Sequence, residues 1–336
     1  MVDDLRQDTQ ARLATSRRRV LATAALAPVL TGVTSPAHAR TGGATNAPRP
    51  AMVKPVKTAL ADWGDVGAAL GAPGDMRRYM YHTGLPRRDL VVFSRGIRVK
   101  PALALGTHVS FVRYADGSSL LMGDAVVTEH ELQPFSDALH EHGIGQTAIH
   151  KHLLAQRPDI WWVHLHAHGT DPVAVARGLR VALDRTGTPL PEPATASAKP
   201  VDLDTAGIDA AIGVKGSVDG GIYKSTFVRK ETITEGHLVL PQGLGSTTSI
   251  NFQPLGAGLA AINGDFVMIA KEVQDVLIGL RRGGVDLVEV HHHNLADEPR
   301  LFFVHYWAVG DAVRLAKGLR PVVDATNVVP MPGVSG

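Results

Sequence analysis

Apolar positions along this chain change period at regular intervals, and each change marks an element. Residues 102–111 and 119–127 alternate around Ala115-Asp116-Gly117, which predicts a strand hairpin; 246–252 and 259–268 repeat the pattern around a Gly-rich turn. Leu132, Phe135 and Leu139 then fall at helical spacing, as do Val273, Val276, Leu277 and Leu280. Two more strands are expected over 146–154 and 160–168. A helix follows, opened by Asp171-Pro172 as N-cap and first-turn pair and closed near Gly187.

This ββαββα order occurs twice, and the chain aligns with itself. Asp62 to Gly74 matches Asp204 to Gly216, Gly123-Asp124 matches Gly264-Asp265, and Glu131-Leu-Gln matches Glu272-Val-Gln. Thr147-Ala-Ile-His150-Lys-His152 meets Val288-Glu-Val-His291-His-His293, and Pro158 to His164 meets Pro299 to His305. The expected fold class is α+β: two tandem repeats, 61–186 and 204–326, with antiparallel sheets, helices on one face, and pseudo-twofold packing of the copies. Residues 187–203, rich in Pro and Ala, read as a linker; 40–60 read as a flexible arm and 327–336 as a tail.

The 336 residues include no Cys, which excludes disulfides, thiolate metal sites and a thiol nucleophile, and they include 16 His. Ser16-Arg17-Arg18-Arg19 leads into an apolar run from Leu21 to Val33, followed by Ala37-His38-Ala39. That order reads as a twin-arginine-type signal peptide over 1–39, so a secreted or cell-envelope protein, soluble after signal removal, is expected. Without those residues the chain has 29 basic and 29 acidic side chains. A balanced surface gives no reason to expect nucleic acid, and no segment is long enough for a membrane span.

The histidines carry the chemistry. On a strand, His150 and His152 project from one face, and a hairpin centred near Arg157 sets His164 across from His150. His291, His293 and His305 repeat the spacing, so one three-imidazole metal site per repeat is expected. Three neutral imidazoles hold a divalent metal and leave a position open for water or substrate. Zinc is the first expectation; copper, nickel and iron(II) also suit imidazole. His166 and His168 have no counterpart in the second copy, where Trp307 and Val309 stand.

Glu131, Glu272, Asp124 and Asp265 recur in both copies and are the candidate acid/base groups. Thr128 and Glu131 also have capping-box spacing, and Gly123-Asp124 could turn the chain. Glu289 shares the face of His291 and His293 as a further ligand or supporting group. Trp161, Trp162, Phe302 and Phe303 read as core, and Gly178 and Gly318 as points of close helix approach. There is no P-loop, dinucleotide fingerprint or G-x-S-x-G elbow.

Phe252-Gln-Pro, Ala260-Ala-Ile-Asn-Gly-Asp-Phe-Val267, Glu298 to His305 and Leu85-Pro-Arg-Arg-Asp89, with the paired H-x-H segments, make the chain resemble the LppY/LpqO family of exported bacterial proteins. The resemblance covers about Ala61 to Thr326 and implies a duplicated domain and export, without a substrate. The spacing is more distantly similar to acetolactate decarboxylase, which holds zinc through an H-x-H strand and a later His. The expected function is a metal-dependent hydrolase or lyase acting on a small or envelope-derived substrate. The alternative is a non-catalytic envelope protein that binds a ligand or metal.

Overall fold

A computed structural model describes residues 51–191 and 200–331. The signal-peptide reading, most of the arm, the middle of the linker and the end of the tail lie outside the described residues. The first repeat opens with a 3-10 turn, Leu60–Trp63, and runs α1 (Gly64–Leu70), β1 (Asp75–Arg77), β2 (Met80–Pro86), β3 (Val92–Ser94), β4 (Ile97–Val99), α2 (Pro101–Ala104), β5 (Gly106–Arg113) and β6 (Ser119–Thr128). It continues through α3 (Glu129–Glu141), β7 (Gly145–His150), β8 (Gln156–Arg157), β9 (Ile160–Gly169) and α4 (Pro172–Leu183).

The second repeat has the parallel series α5 (Thr205–Ile212), β10 (Ser217–Asp219), β11 (Ile222–Arg229), β12 (Thr234–Glu235), β13 (Leu238–Val239), β14 (Thr247–Gly256) and β15 (Leu259–Ile269). Then come α6 (Val273–Arg282), β16 (Asp286–His291), β17 (Asp297–Glu298), β18 (Leu301–Asp311), α7 (Ala312–Asp324) and β19 (Val328–Pro330). The ββαββα unit is therefore present twice, each copy preceded by a helix and two further sheet strands.

Both main sheets are antiparallel and have equivalent orders, β1-β2-β5-β6-β9-β7 and β10-β11-β14-β15-β18-β16, with β19 added against β11. Each repeat also has a three-stranded side sheet, β4-β3-β8 and β13-β12-β17. Alternation sends one face of each main sheet outward under its helices: Phe111 and Val163 join Phe135 and Leu179 of the helices in the first copy, and Phe252, Phe266 and Val304 join Leu319 in the second. The inner faces meet in two clusters that mix the repeats, one around Met122, Leu244 and Phe303, the other around Leu103, Trp162 and Trp307.

Local chemistry explains the helix starts. Asp171 accepts from the Val173 and Ala174 amides ahead of α4, and Asp311 from the Arg314 amide ahead of α7. Thr128 and Glu131 form a full capping box on α3. The close approaches expected at the last helices are present: a Cβ on Gly178 would strike His142, and one on Gly318 would strike the Gly283 carbonyl.

Several expectations change. The strand expected over 146–154 stops at His150, because Gln156 and Arg157 leave the main sheet to pair with Ser94 and Phe93. Residues 101–104 form a short helix rather than the start of a strand. Within the described residues the arm is held in place, since Val53 N donates to His237 O and Val56 N to Arg113 O. The tail contributes β19.

Candidate metal centre

His164 lies on β9 directly opposite Asp124 on β6, and His305 lies on β18 directly opposite Asp265 on β15. Facing partners in an antiparallel pair share a face, so all four side chains point at the other sheet. Gly123 and Gly264 sit just before the aspartates within strands rather than turns. A Cβ on either would run into the backbone of the neighbouring strand, at His108 and Ser249 respectively. His150 and His291 end β7 and β16. They pair with Trp162 and Phe303, not with His164 and His305 as the hairpin centring predicted; His164 and His305 instead oppose Ala148 and Glu289. His152 and His293 lie in the bends beyond, stacked on the rings of Trp162 at 4.4 Å and Phe303 at 3.4 Å.

The six rings form one cluster between the repeats, which corrects the expectation of a separate three-histidine site in each. His150 stacks on His291 at 4.0 Å, His152 lies 3.7 Å from His305, and His164 lies 4.0 Å from His293. Ligand atoms of His150, His152 and His305 lie within 4.8 Å of one another; so do those of His150, His164 and His291, and those of Asp265, His291 and His293. Two of these three sets draw on both repeats. His150 Nε2 and His152 Nε2 are 3.0 Å apart, close to the ~3.3 Å between two nitrogens bound 2.0–2.1 Å from a tetrahedral ion. The more widely spaced donors must close by about 1.5 Å to reach that value.

Protonation favours ligation. Burial, then the neighbouring imidazoles, keeps His150 and His152 well below the usual imidazole range; burial also lowers His291, and lowers His293 to about 3. All are therefore neutral at pH 7. His305 Nδ1 lies 2.9 Å from the Gly264 carbonyl and His164 Nδ1 3.3 Å from that of Gly123. A carbonyl only accepts, so each Nδ1 carries the proton and each Nε2 presents its lone pair. Both Nε2 atoms are buried without a hydrogen-bond partner, as are His293 Nε2, Asp124 Oδ1 and Asp265 Oδ1. Buried orphans of this kind are costly unless a ligand satisfies them.

The aspartates complete the donor set. His152 Nε2 is 3.4 Å from Asp124 Oδ2 and His293 Nε2 is 3.4 Å from Asp265 Oδ2. Burial, then the charge of Asp265, raises Asp124 well above the carboxylate range; burial raises Asp265 to about 6 against the pull of His305. A bound metal would favour the ionised form of both carboxylates, as it does for any carboxylate it binds.

Glu131 and Glu272 are not in the centre, which corrects their candidacy as acid/base groups. Glu131 accepts from the buried Arg87 at 2.8 and 3.1 Å and from the Thr128 and Gly187 amides. Glu272 accepts from Arg229 at 2.5 and 3.2 Å and from the Ile269 amide, so the absent capping Thr does not free it. Asp89 and Glu231 complete the two arginine triads. Glu289 faces the centre but accepts from the Lys151 amide. His166 Nε2 lies 3.1 Å from Glu235 and His168 beside His237, both apart from the ligand sets. Lys151 faces away, its ammonium over Trp161.

Arg87 and Arg229 were missed by sequence reasoning, and so was the cavity beside the cluster. The signal for the arginines was a further repeat, Arg87-Arg-Asp89 against Arg229-Lys-Glu231. The cavity, about 220 Å³, reaches His152 and His305 and is walled by residues from both copies.

Residues 64–185 and 206–325 match the family described as Domain of Unknown Function (DUF1259). No curated protein matches the chain. Among solved structures, the trimeric bacterial microcompartment shell protein PduB is 12% identical, covers 75% of this chain and 92% of its own, and has a TM-score of 0.21. The double-ringed trimeric shell protein MSM0271 from the RMM microcompartment is 12% identical over 62% of this chain and 82% of its own, with a TM-score of 0.18. EtuB from Clostridium kluyveri is 12% identical over 77% of this chain and 96% of its own, also with a TM-score of 0.18. Overlaps of this size carry no argument about fold or function. Among the described residues, no helix is long and apolar enough to cross a membrane.

Proposed function

The chain belongs to the DUF1259 family, with the domain present twice, and from that premise we propose that it binds a divalent metal, zinc first, in the cluster between its repeats and uses it as a hydrolase or lyase on a small substrate. One observation carries the reading: six imidazoles, four buried and two (His152 and His293) partly buried, converge beside two aspartates with several donor atoms unpartnered. The bound ion would polarise a carbonyl or phosphoryl oxygen, or lower the pKa of a water, from an open coordination position. Asp124 and Asp265 stand beside the imidazoles as the groups able to hold or move a proton.

Metal analysis of protein purified without a histidine tag tests the proposal. A stoichiometric divalent metal, lost on replacing His150 with Ala, is expected; no metal in the purified protein, together with thermal stability that added Zn²⁺ leaves unchanged, sinks it. A second reading, a non-catalytic envelope protein that holds a metal or ligand, is favoured by the donor set, since eight donors exceed the three protein ligands typical of an open catalytic zinc. Retained metal with no turnover across a broad substrate screen selects that reading.

Membership of the narrower LppY/LpqO group and twin-arginine export belong to the same proposal. N-terminal sequencing of protein recovered outside the cytoplasm checks the export step: cleavage after Ala39 is expected, and an uncleaved N-terminus speaks against it.

A further inference from the structure

The main sheets of the two repeats have equivalent strand orders, yet the surroundings of the histidine cluster are not the same on its two sides. On one side the 220 Å³ cavity opens onto His152, His305, Asp124 and Asp265. Away from them it is lined by Lys224, Ser249 and Asn251, with His108 of the first repeat in the same wall. Asn251 Oδ1 accepts from Ser249 Oγ at 2.9 Å, which leaves the amide N–H groups for a ligand. Asp219 Oδ2 accepts from Lys224 Nζ at 2.6 Å and holds the ammonium in place. Asn263 ties this wall to the centre, donating to the carbonyls of His152 at 2.6 Å and Tyr306 at 3.2 Å.

The strand registers identify the counterparts on the other side. Met122 precedes Asp124 by two residues as Asn263 precedes Asp265, Ser110 pairs with Met122 as Asn251 pairs with Asn263, and His82 pairs with Ser110 as Lys224 pairs with Asn251. There His82 Nδ1 pairs with Ser110 Oγ at 3.1 Å, and its Nε2 lies 3.4 Å from Nδ1 of His108, which backs onto the cavity wall. The methyl ends of Met122 and Met80 lie against Gly245 and Gly243. An ammonium and a free amide on one side thus face methionine and a self-satisfied histidine on the other.

We infer that substrate reaches the metal from the Lys224 side only, and that it is a small oxyanion, a carboxylate or phosphate, held between the ammonium and Asn251 with an oxygen directed at the His152–His305 edge; this rests on the metal reading above. The cavity is smaller than the ~300–1,000 Å³ of pockets for drug-sized ligands and equals about seven waters at ~30 Å³ each, which suits a small oxyanion. A cation at one end and a divalent ion at the other complement such a ligand.

Cobalt(II)-loaded protein tests the inference without any assay of turnover. Its visible absorption is titrated with inorganic phosphate and, separately, with acetate, while bound cobalt is measured in every sample. Saturable spectral change with either oxyanion is expected, and the stronger of the two assigns the phosphate or carboxylate class. Lys224→Gln and Asn251→Ala each weaken it by about tenfold with cobalt content unchanged, whereas Met122→Ala on the closed side stays within twofold. Bound cobalt with no saturable response, or wild-type titrations from both Lys224→Gln and Asn251→Ala, overturns the inference and leaves the metal reading intact. A wild-type protein that takes up no cobalt overturns both.

Discussion

Replacing Glu131 with Gln separates a structural carboxylate from a chemical one. Arg87 is 1% exposed, so its charge depends on Asp89 and Glu131. Gln keeps the size and one acceptor oxygen but removes the charge facing the guanidinium. Leaving a buried charge wholly unpaired costs about 3–5 kcal/mol, and because Asp89 remains, the expected loss is about 3 kcal/mol. At ~2–4 °C per kcal/mol for a chain of this order of size, Tm falls by about 6–12 °C.

The pH dependence has a definite sign. Burial pushes the Glu131 carboxyl up, but Arg87 and the Thr128 and Gly187 amides outweigh it and hold the pKa below its ordinary value. The stabilisation is therefore complete above the unfolded-state value near ~4.3 and is lost as pH falls through the lower folded value. Urea unfolding of wild type and Glu131→Gln followed by circular dichroism from pH 3 to 7, with metal content measured alongside, checks this. A variant as stable as wild type at pH 7 but depleted of metal would refute the reasoning and return Glu131 to the centre.

Other outcomes follow from the same geometry. Trp162→Ala removes a fully buried ring that donates to Ala104 O at 2.8 Å and stacks on His152; a loss of about 3–5 kcal/mol in chemical denaturation, with weaker metal retention, is expected. His166→Gln leaves metal content at the wild-type value by elemental analysis, because His166 faces Glu235 outside the ligand sets. Gly264→Ala forces a Cβ against the Ser249 backbone at the centre of the sheet, so soluble yield and Tm both fall.

Periodicity and self-comparison made the α+β repeats legible, because each element is set by local spacing and caps such as Asp171 act within a few residues. The six histidines were legible for a different reason: the same spacing occurs twice in otherwise altered surroundings. How they group was not, since His150 meets His291 and His305 only through the packing of one repeat on the other, and no local spacing encodes that. Glu131 and Glu272 looked chemical because recurrence cannot tell a proton donor from the partner of a buried arginine. Asp124 and Glu131 are both repeated carboxylates, and only the strand register, which sets Asp124 opposite His164, distinguishes them.

X-ray absorption and anomalous diffraction on zinc-loaded, tag-free protein address the central claim in one experiment. The account predicts zinc in the cluster between the sheets with imidazoles from both repeats in its coordination sphere, His305 together with His150 and His152. Zinc held by histidines of one repeat alone, or found only at surface histidines, contradicts it.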